Sequence, residues 1–204
     1  MIKNRFFTFF AMILIAASAM VSCSEDDGEV EEYPNWQAAN DAYYNQLSDS
    51  VQRLIAANPD CGWKRIRTYS KIADAATSNA DYIIVQLLDS LDHPEASSPL
   101  YNDTVSIHYQ GRLIPSASYA KGYLFDSSFS GTYDPEVSVP NQSGTAGSFV
   151  DGFTTALLNM RRGDHWRVYI PYRLGYDSAV RSSIPAYSTL VFDIRLADFW
   201  SPRK

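Results

Sequence analysis

The stretch Val105-Ser106-Ile107-His108-Tyr109-Gln110-Gly111-Arg112-Leu113 alternates in part between apolar and polar residues, which indicates a strand with one buried face. Three further strings follow it, and each predicts a strand or a strand end that carries an aromatic residue. Together the four strings predict one small sheet with a face lined by Tyr and Phe. The other three are Leu124-Phe125-Asp126-Ser127-Ser128, Ile170-Pro171-Tyr172-Arg173-Leu174-Gly175-Tyr176 and Ile184-Pro185-Ala186-Tyr187-Ser188-Thr189-Leu190-Val191-Phe192-Asp193-Ile194.

The neighbouring segments predict more strands and a single helix. Tyr82–Leu88 is β-branched and apolar, and Trp166–Ile170 and Thr189–Leu196 also have the composition of strands. Phe149–Met160 has apolar residues at helical spacing, and Arg161-Arg162-Gly163 marks the end of that helix. Strands outnumber helices, so we predict an α+β fold in which a curled antiparallel β-sheet wraps around a short α-helix.

A helical pattern precedes these strands. Asn35 follows Pro34 and is a candidate N-cap, and Asn58-Pro59-Asp60 predicts the end of a helix over Asn35–Ala57. Its apolar residues form a stripe that packs either on the C-terminal domain or on a second copy, which would make the protein a homodimer. The stripe comprises Trp36, Ala39, Tyr43, Leu47, Val51, Leu54 and Ile55.

Residues 1–22 predict a targeting segment. Lys3 and Arg5 precede an apolar run from Phe6 to Val21, a pattern typical of a secretory signal. Cys23 follows Met20-Val21-Ser22, which is similar to a bacterial lipobox, so we expect Cys23 to be lipidated and to become the mature N-terminus. An ordinary cleaved signal or an uncleaved anchor is the alternative.

Residues 23–33 are acidic and almost free of apolar side chains, which predicts a disordered tether. Such a stretch after a lipidated cysteine is equally similar to a surface-export signal of some diderm bacteria. We therefore expect a protein that is lipid-anchored in the outer membrane of the cell envelope and faces the periplasm or the exterior. The predicted organisation is a signal peptide (1–22), the tether (23–33), a helical extension (34–80) and the strand-rich domain (81–204).

The composition excludes several classes of function. The formal net charge is −6 and basic residues do not alternate with aromatic ones, so nucleic acid is not an expected partner. With Cys23 lipidated, Cys61 has no partner for a disulfide within the chain, and we expect a buried, inert thiol. The histidines lack metal-ligand spacing, and no nucleophile elbow or phosphate loop is present. We expect no metal and no cofactor.

The order of the strings resembles the FKBP-type peptidyl-prolyl cis/trans isomerases over about residues 81–200. Each piece is common by itself, but five pieces in the family's order are specific. The resemblance implies isomerisation of X-Pro bonds, here in proline-containing peptides or unfolded exported proteins, together with a chaperone role. The pieces are His108-Tyr109-Gln110-Gly111, Phe125-Asp126-Ser127-Ser128, Gly152-Phe153, Met160-Arg161-Arg162-Gly163, and Tyr176 with Ile184-Pro185 through Leu196.

The resemblance also implies roles for individual residues. Asp126, Tyr176 and Tyr109 are the expected catalytic residues: Asp126 would order the pocket beside the isomerising bond, and Tyr176 would donate its hydroxyl to a substrate carbonyl. Val150 would donate its backbone N–H to the substrate, and Phe153 would form the floor of the proline pocket. Core packing is the alternative for each aromatic residue. The expected pocket walls are Tyr109, Phe125, Ile184 and Phe192.

Residues 129–148 depart from the family's pattern. The stretch is longer than the usual loop and lacks the basic residue and the aromatic residue that commonly follow Asp-Ser-Ser. Pro135–Pro140 stands where the family usually has an aromatic strand, and Val137 is the expected smaller stand-in there. Ser148 stands where an acidic residue is common, and Asp177 stands where Gly is usual. These departures leave a non-catalytic FKBP-like module, which binds a peptide or an envelope partner, as the alternative function.

Overall fold

The computed structural model describes residues 31–89, 97–138 and 141–202; Cys23, the predicted signal peptide and most of the predicted tether lie outside them. The described residues form two α-helices and a seven-stranded sheet in which every pairing is antiparallel. The predicted α+β fold with an N-terminal helix is therefore confirmed. The elements are α1 (Trp36–Ala57), β1 (Trp63–Arg67), β2 (Tyr82–Asp89), β3 (Thr104–Arg112), β4 (Leu124–Ser127), β5 (Asn141–Thr145), α2 (Asp151–Leu157), β6 (His165–Ile170) and β7 (Leu190–Trp200).

Strand β3 organises the sheet. The strand order is β1-β2-β6-β7-β3-β4, and β5 also pairs with β3. Because β7 occupies one edge of β3 from Thr104 to Arg112, β4 and β5 divide the other edge between them. Gly111 therefore lies opposite Asp126 on one side and Phe192 on the other.

The inner face of the sheet packs on α2. Alternate residues of a strand point to the same face, and those of β2, β3, β6 and β7 that face α2 are buried. The helix lies close to the sheet, because a Cβ atom at Gly152 would lie 2.3 Å from Cγ2 of Ile170. This close approach places Phe153, the next residue of α2, in the core.

The outer face of the sheet carries α1. Tyr44 and Val51 are buried against Ile84 of β2 and Tyr169 of β6, so α1 packs on its own domain. The predicted stripe is correct only in part, since Ala39 and Leu54 are exposed. Asn40 and Ser48 are buried in the helix instead, and Asn35 precedes it in a left-handed conformation without a side-chain cap. The homodimer through α1 stays a prediction.

The sheet begins earlier than the predicted boundary at residue 81. Trp63–Arg67, which the sequence analysis assigned to the helical extension, pairs along its whole length with β2. Lys64, Arg65 and Arg67 interrupt the apolar pattern by which a buried strand is recognised, so this edge strand was missed. The helical part of the extension thus ends at Ala57, and the sheet starts at Trp63.

The end of the predicted tether lies on the folded part of the chain. The carboxylate of Glu32 accepts hydrogen bonds from the hydroxyl of Ser116 and, at 3.1 Å, from the N–H of Ser118, and these bonds lower its pKa. The rings of Tyr33 and Trp36 meet edge-on with their centroids 4.6 Å apart. A tether would therefore end before Glu32.

The free cysteine and the helices of the described ranges bear on the predicted thiol and on membrane spanning. Cys61 is a free thiol and is half-buried rather than fully buried as expected. No helix in the described part of the chain is long and apolar enough to cross a membrane.

Asp81 anchors the connection between β1 and β2. Its carboxylate pairs with Lys71 and accepts hydrogen bonds from the N–H groups of Thr77 (3.0 Å) and Ser78 (2.9 Å). The hydrogen bond from Lys71, with the smaller contributions of Ser78, lowers the pKa of Asp81 to about 2. A carboxyl group whose pKa is lower in the folded than in the unfolded state stabilises the fold above its unfolded pKa and loses this effect as the pH falls.

Replacing this carboxylate tests the anchor. Asp81→Asn is expected to lower the free energy of unfolding at neutral pH by about 1–3 kcal/mol, because the amide cannot pair with Lys71. The difference from the wild type should shrink as the pH falls from about 4 towards about 2, measured by urea unfolding. Asp74→Asn, an exposed carboxylate in the same connection, is the control and should change little. A difference that is constant down to the lowest pH would contradict the role of Asp81.

Candidate active site

Five aromatic rings meet on the inner face of the sheet and form what we call the aromatic cluster. Phe192 is at its centre, with ring centroids at 5.0 Å from Phe153, 5.5 Å from Phe125 and 6.1 Å from Tyr109, all edge-to-face. Phe149 stacks on Phe153 with the centroids 4.7 Å apart. Such pairs add about 0.5–1.5 kcal/mol each to the effect of burial. The cluster is therefore a rigid apolar surface.

Gly111 allows two of these rings to meet. A Cβ atom at this position would lie 2.5 Å from the Phe125 ring and 2.6 Å from the Phe192 ring. The rings thus occupy the space above β3 that any other residue would fill. A glycine within a strand often marks such a close approach, which is the sequence signal for this residue.

Tyr109 and Asp126 form the polar part of the site. The Tyr109 hydroxyl donates a hydrogen bond of 2.9 Å to Oδ2 of Asp126, and the N–H of Ser127 donates to Oδ1 at 2.8 Å. Burial, followed by the hydrogen bond to Asp126 and its charge, raises the pKa of Tyr109 to about 12. The phenol is therefore protonated at neutral pH. Its hydrogen is committed to Asp126, so only its oxygen is left to accept a bond from a ligand.

Ser128 fixes Tyr109 from the backbone side. Strand β4 pairs with β3 from Gln110 onward and β5 pairs with it up to Ile107, so Tyr109 lies between the two ladders. There the N–H of Ser128 donates to the Tyr109 carbonyl at 3.0 Å, and the Tyr109 N–H donates to Oγ of Ser128 at 2.9 Å. This pairing holds the backbone of Tyr109 in strand geometry.

Tyr176 and Val150 bring unused donors to the same region. The Tyr176 ring packs against the core, and its hydroxyl makes no hydrogen bond to another described residue. Val150 directly precedes α2 and packs against the same core, and its N–H is likewise free of other described residues. Both groups can therefore donate to a bound peptide.

The structure brings the predicted site residues together. Phe153, Phe192 and Ile184 lie within the core, and Tyr109, Phe125, Val150 and Tyr176 pack against it at their half-buried surfaces. Asp126 joins them through Tyr109, while its carboxylate side is exposed. Their roles stay predictions, because placement alone does not test them. Four more residues contribute to this region without a role predicted from the sequence, namely Phe149, Gly111, Ser128 and Arg181. The Arg181 guanidinium lies 5.8 Å from the centre of the Tyr176 ring.

The first part of the 129–148 segment lies on the outer face, away from the cluster. The Tyr133 ring packs edge-on against His108 at 5.0 Å, with the Arg195 guanidinium 4.4 Å from its centre. His108 is 2% exposed, and burial is the main reason that its pKa is lowered. Val137 is 73% exposed, so the expectation that it replaces the missing aromatic residue of the pocket is wrong.

Three open clefts lie elsewhere in the described part of the chain. A cleft of about 350 Å³ lies between α1 and the segment 171–173, and clefts of about 400 and 290 Å³ lie on the outer face. None of the three includes a predicted site residue. Among residues 31–89, 97–138 and 141–202, no group of His, Cys, Asp and Glu could hold a metal ion. The three clefts therefore lie apart from the aromatic cluster.

The family of the protein follows from comparison with known sequences. Residues 95–197 match the sequence model of the FKBP-type peptidyl-prolyl cis-trans isomerase family. This match covers half of the chain, and the chain belongs to that family.

The chain is similar to individual proteins of known sequence. The macrophage infectivity potentiator of Trypanosoma cruzi is 38% identical over 100 residues, which are 48% of this chain and 44% of that protein. The FKBP-type peptidyl-prolyl cis-trans isomerase FkpA of Escherichia coli is 25% identical over 172 residues, 84% of this chain and 57% of FkpA. This chain therefore matches less than two thirds of the length of either relative.

Two solved structures are similar to this chain. The crystal structure of FkpA from Escherichia coli has a TM-score of 0.48 and 25% sequence identity, and the alignment covers 80% of this chain and 64% of that chain. A peptidyl-prolyl cis-trans isomerase of Pseudomonas syringae has a TM-score of 0.48 and 26% identity, with coverage of 76% and 91%.

Adding a methyl group at Gly111 tests the geometry of the cluster. Gly111→Ala should lower the free energy of unfolding by about 1–3 kcal/mol, because the Phe125 and Phe192 rings must move apart. Urea unfolding and the aromatic NMR signals of the two rings measure the change. Gly147→Ala is the control: it also meets a ring, that of Tyr101 at 2.4 Å, but outside the cluster, so the signals of Phe125 and Phe192 should not move. Unchanged signals in Gly111→Ala would show that the described packing is wrong.

Proposed function

We propose that the protein is a peptidyl-prolyl cis/trans isomerase that acts on X-Pro bonds of exported proteins. The observation that supports this proposal most directly is the Tyr109–Asp126 hydrogen bond at the edge of the aromatic cluster. It places a polar pair directly beside the apolar rings of the cluster. Membership of the FKBP-type family supports the same reaction.

The reaction makes no lasting change to covalent bonds. Rotation about a prolyl bond takes tens to hundreds of seconds, and the barrier of about 18–20 kcal/mol arises from amide resonance. A catalyst has to bind the twisted amide better than the planar one. The planar amide is more dipolar, so an apolar wall that removes water from its carbonyl favours the twisted form. No nucleophile is needed.

The site residues would divide this task. The proline ring would pack on Phe153 and Phe192, with Phe125 and Ile184 beside it. Tyr176 and the N–H of Val150 would donate hydrogen bonds to neighbouring peptide carbonyls and hold the chain in place. Asp126 would keep Tyr109 oriented and would place a negative charge beside the carbonyl of the rotating bond.

Two substitutions test the enzyme. Asp126→Ala is expected to lower kcat/KM for a prolyl peptide roughly tenfold, and Tyr176→Phe roughly fivefold, the losses expected for a polar contact made in the transition state. The measurement is a prolyl-peptide assay on residues 31–204, and Tyr119→Phe, an exposed tyrosine away from the cluster, is the control. No acceleration by the wild type would overturn the proposal.

A non-catalytic peptide-binding module is the second candidate. The exposure of Val137 and the packing of Tyr133 on the outer face support it, because residues 129–138 add no ring to the aromatic cluster. Such a module would bind proline-containing peptides, and binding would change the NMR chemical shifts of Phe153 and Phe192. It would leave the rate of isomerisation unchanged. The assay above therefore separates the two candidates.

We also propose that the protein acts in the cell envelope from a lipid anchor at Cys23, with envelope or exported proteins as its partners. The support is the sequence of residues 1–32, namely the apolar run, the cysteine after Ser22 and the acidic stretch that follows. Two or more acyl chains anchor a protein firmly, whereas one chain is marginal.

A cysteine substitution tests the anchor. The protein made in a diderm bacterial host should partition into the detergent phase, and Cys23→Ser should move it to the aqueous phase. Cys61→Ser is the matched control, since it removes the other cysteine and should stay in the detergent phase. Detergent partitioning of Cys23→Ser as strong as that of the wild type would support an uncleaved anchor and contradict lipidation.

A further inference from the structure

One loop carries two of the site residues. The chain from Gly175 to Thr189 connects a single turn at Tyr172–Leu174 with β7, and both Tyr176 and Ile184 lie on it. Arg181 and Ile184 exchange backbone hydrogen bonds of 3.0 and 2.7 Å, and the Tyr187 N–H donates to the Asp177 carbonyl at 2.8 Å. We call residues 175–189 the site loop. These bonds connect residues 177–187 of the loop to one another.

The base of the site loop is attached to α1. Nε1 of Trp36 donates a hydrogen bond of 2.8 Å to Oγ of Ser188, and that hydroxyl donates to the carbonyl of Pro185 at 2.7 Å. Pro185 directly follows Ile184. One residue beyond Ser188, the Thr189 N–H donates to Oδ1 of Asn40 at 2.7 Å. A chain of hydrogen bonds therefore runs from α1 to the wall of the proline pocket.

The hydrogen-bonded residues between α1 and the site loop are buried. Ser188 is 3% exposed, and Asn40 and Thr189 are fully buried, so water cannot easily replace a lost partner. Asn40 is held in turn by its Nδ2, which donates to the Trp36 carbonyl at 2.8 Å. Trp36 thus has both its side chain and its carbonyl in the network, and it lies outside the family match at residues 95–197.

We propose that Trp36 is a positioning residue, which holds the Ile184 wall of the proline pocket through Ser188 and Pro185. This inference rests on the proposed isomerase function for its catalytic consequence, while its structural part is independent of it. The indole fixes the hydroxyl of Ser188, the hydroxyl fixes the Pro185 carbonyl, and Ile184 is thereby kept against the cluster. A displaced wall would weaken the fit to the twisted amide more than binding of the planar one.

The test combines a rate with a measure of order in the loop. Trp36→Phe keeps an aromatic ring beside Tyr33 but removes the indole donor together with one ring of the indole. Ser188→Ala removes the acceptor of the same bond and leaves the Trp36 ring in place. We expect kcat to fall roughly fivefold while KM changes less than about twofold, and the amides of Ile184 and Tyr187 to exchange with deuterium roughly tenfold faster. Ser188→Ala should have the same effects, and the double variant should be no worse than Ser188→Ala alone, since both changes break one chain.

A second hydrogen bond of α1 supplies the control. The Tyr44 hydroxyl donates to the Tyr82 carbonyl at 2.6 Å, far along the sequence from the site loop. Tyr44→Phe should lower stability but leave kcat and the exchange of Ile184 unchanged. If Tyr44→Phe lowers kcat as much as Trp36→Phe, the effect is a general loosening of α1 and the inference is overturned.

The two proposals fail in different ways. A wild type without isomerase activity overturns the proposed function, and the exchange measurement then still decides whether Trp36 orders the wall. Unchanged exchange at Ile184 in both Trp36→Phe and Ser188→Ala overturns the positioning role, whatever the rate. Wild-type activity together with unchanged kcat in both variants overturns it as well.

Discussion

The site depends on the missing side chain at Gly111. Because nothing projects from this position of β3, the rings of Phe125 and Phe192 reach each other from the two neighbouring strands. A Cβ atom would lie 2.5 Å from the first ring and 2.6 Å from the second. Their contact in turn supports Tyr109 and Phe153, which meet Phe192 edge-on. A similar approach at Gly152 brings α2 onto β6. Close packing at two glycines thus sets the shape of the apolar surface.

The sequence predicts the central strands and α2 well, because their buried positions are filled by β-branched and aromatic residues in a regular period. It does not predict β1 or β5. Strand β1 is largely charged, and β5 is Asn141-Gln142-Ser143-Gly144-Thr145, so neither sequence has the apolar pattern by which a strand is predicted. The candidate site residues were predicted from the resemblance to a family. The hydrogen bonds of Ser128 and Trp36 join residues far apart in the sequence, so no local sequence pattern predicts them.

The buried face of α1 was also predicted only in part from the sequence. Helical spacing of apolar residues suggested that Ala39 and Leu54 would be covered, yet Asn40 is fully buried. A buried amide is tolerated because its oxygen accepts from Thr189 and its nitrogen donates to the Trp36 carbonyl. The family match begins after β2, so α1, β1 and β2 belong to the folded unit although they lie outside the matched residues.

The divided edge of β3 has an evolutionary consequence. A single residue, Ser128, bridges the two ladders at Tyr109, and the chain from Phe129 to Ser138 then leaves the sheet. Insertions and substitutions in this stretch can therefore accumulate without shifting the register of any strand or the position of Tyr109. Variation in this stretch would change the surface around His108 on the outer face and would leave the rings of the aromatic cluster in place.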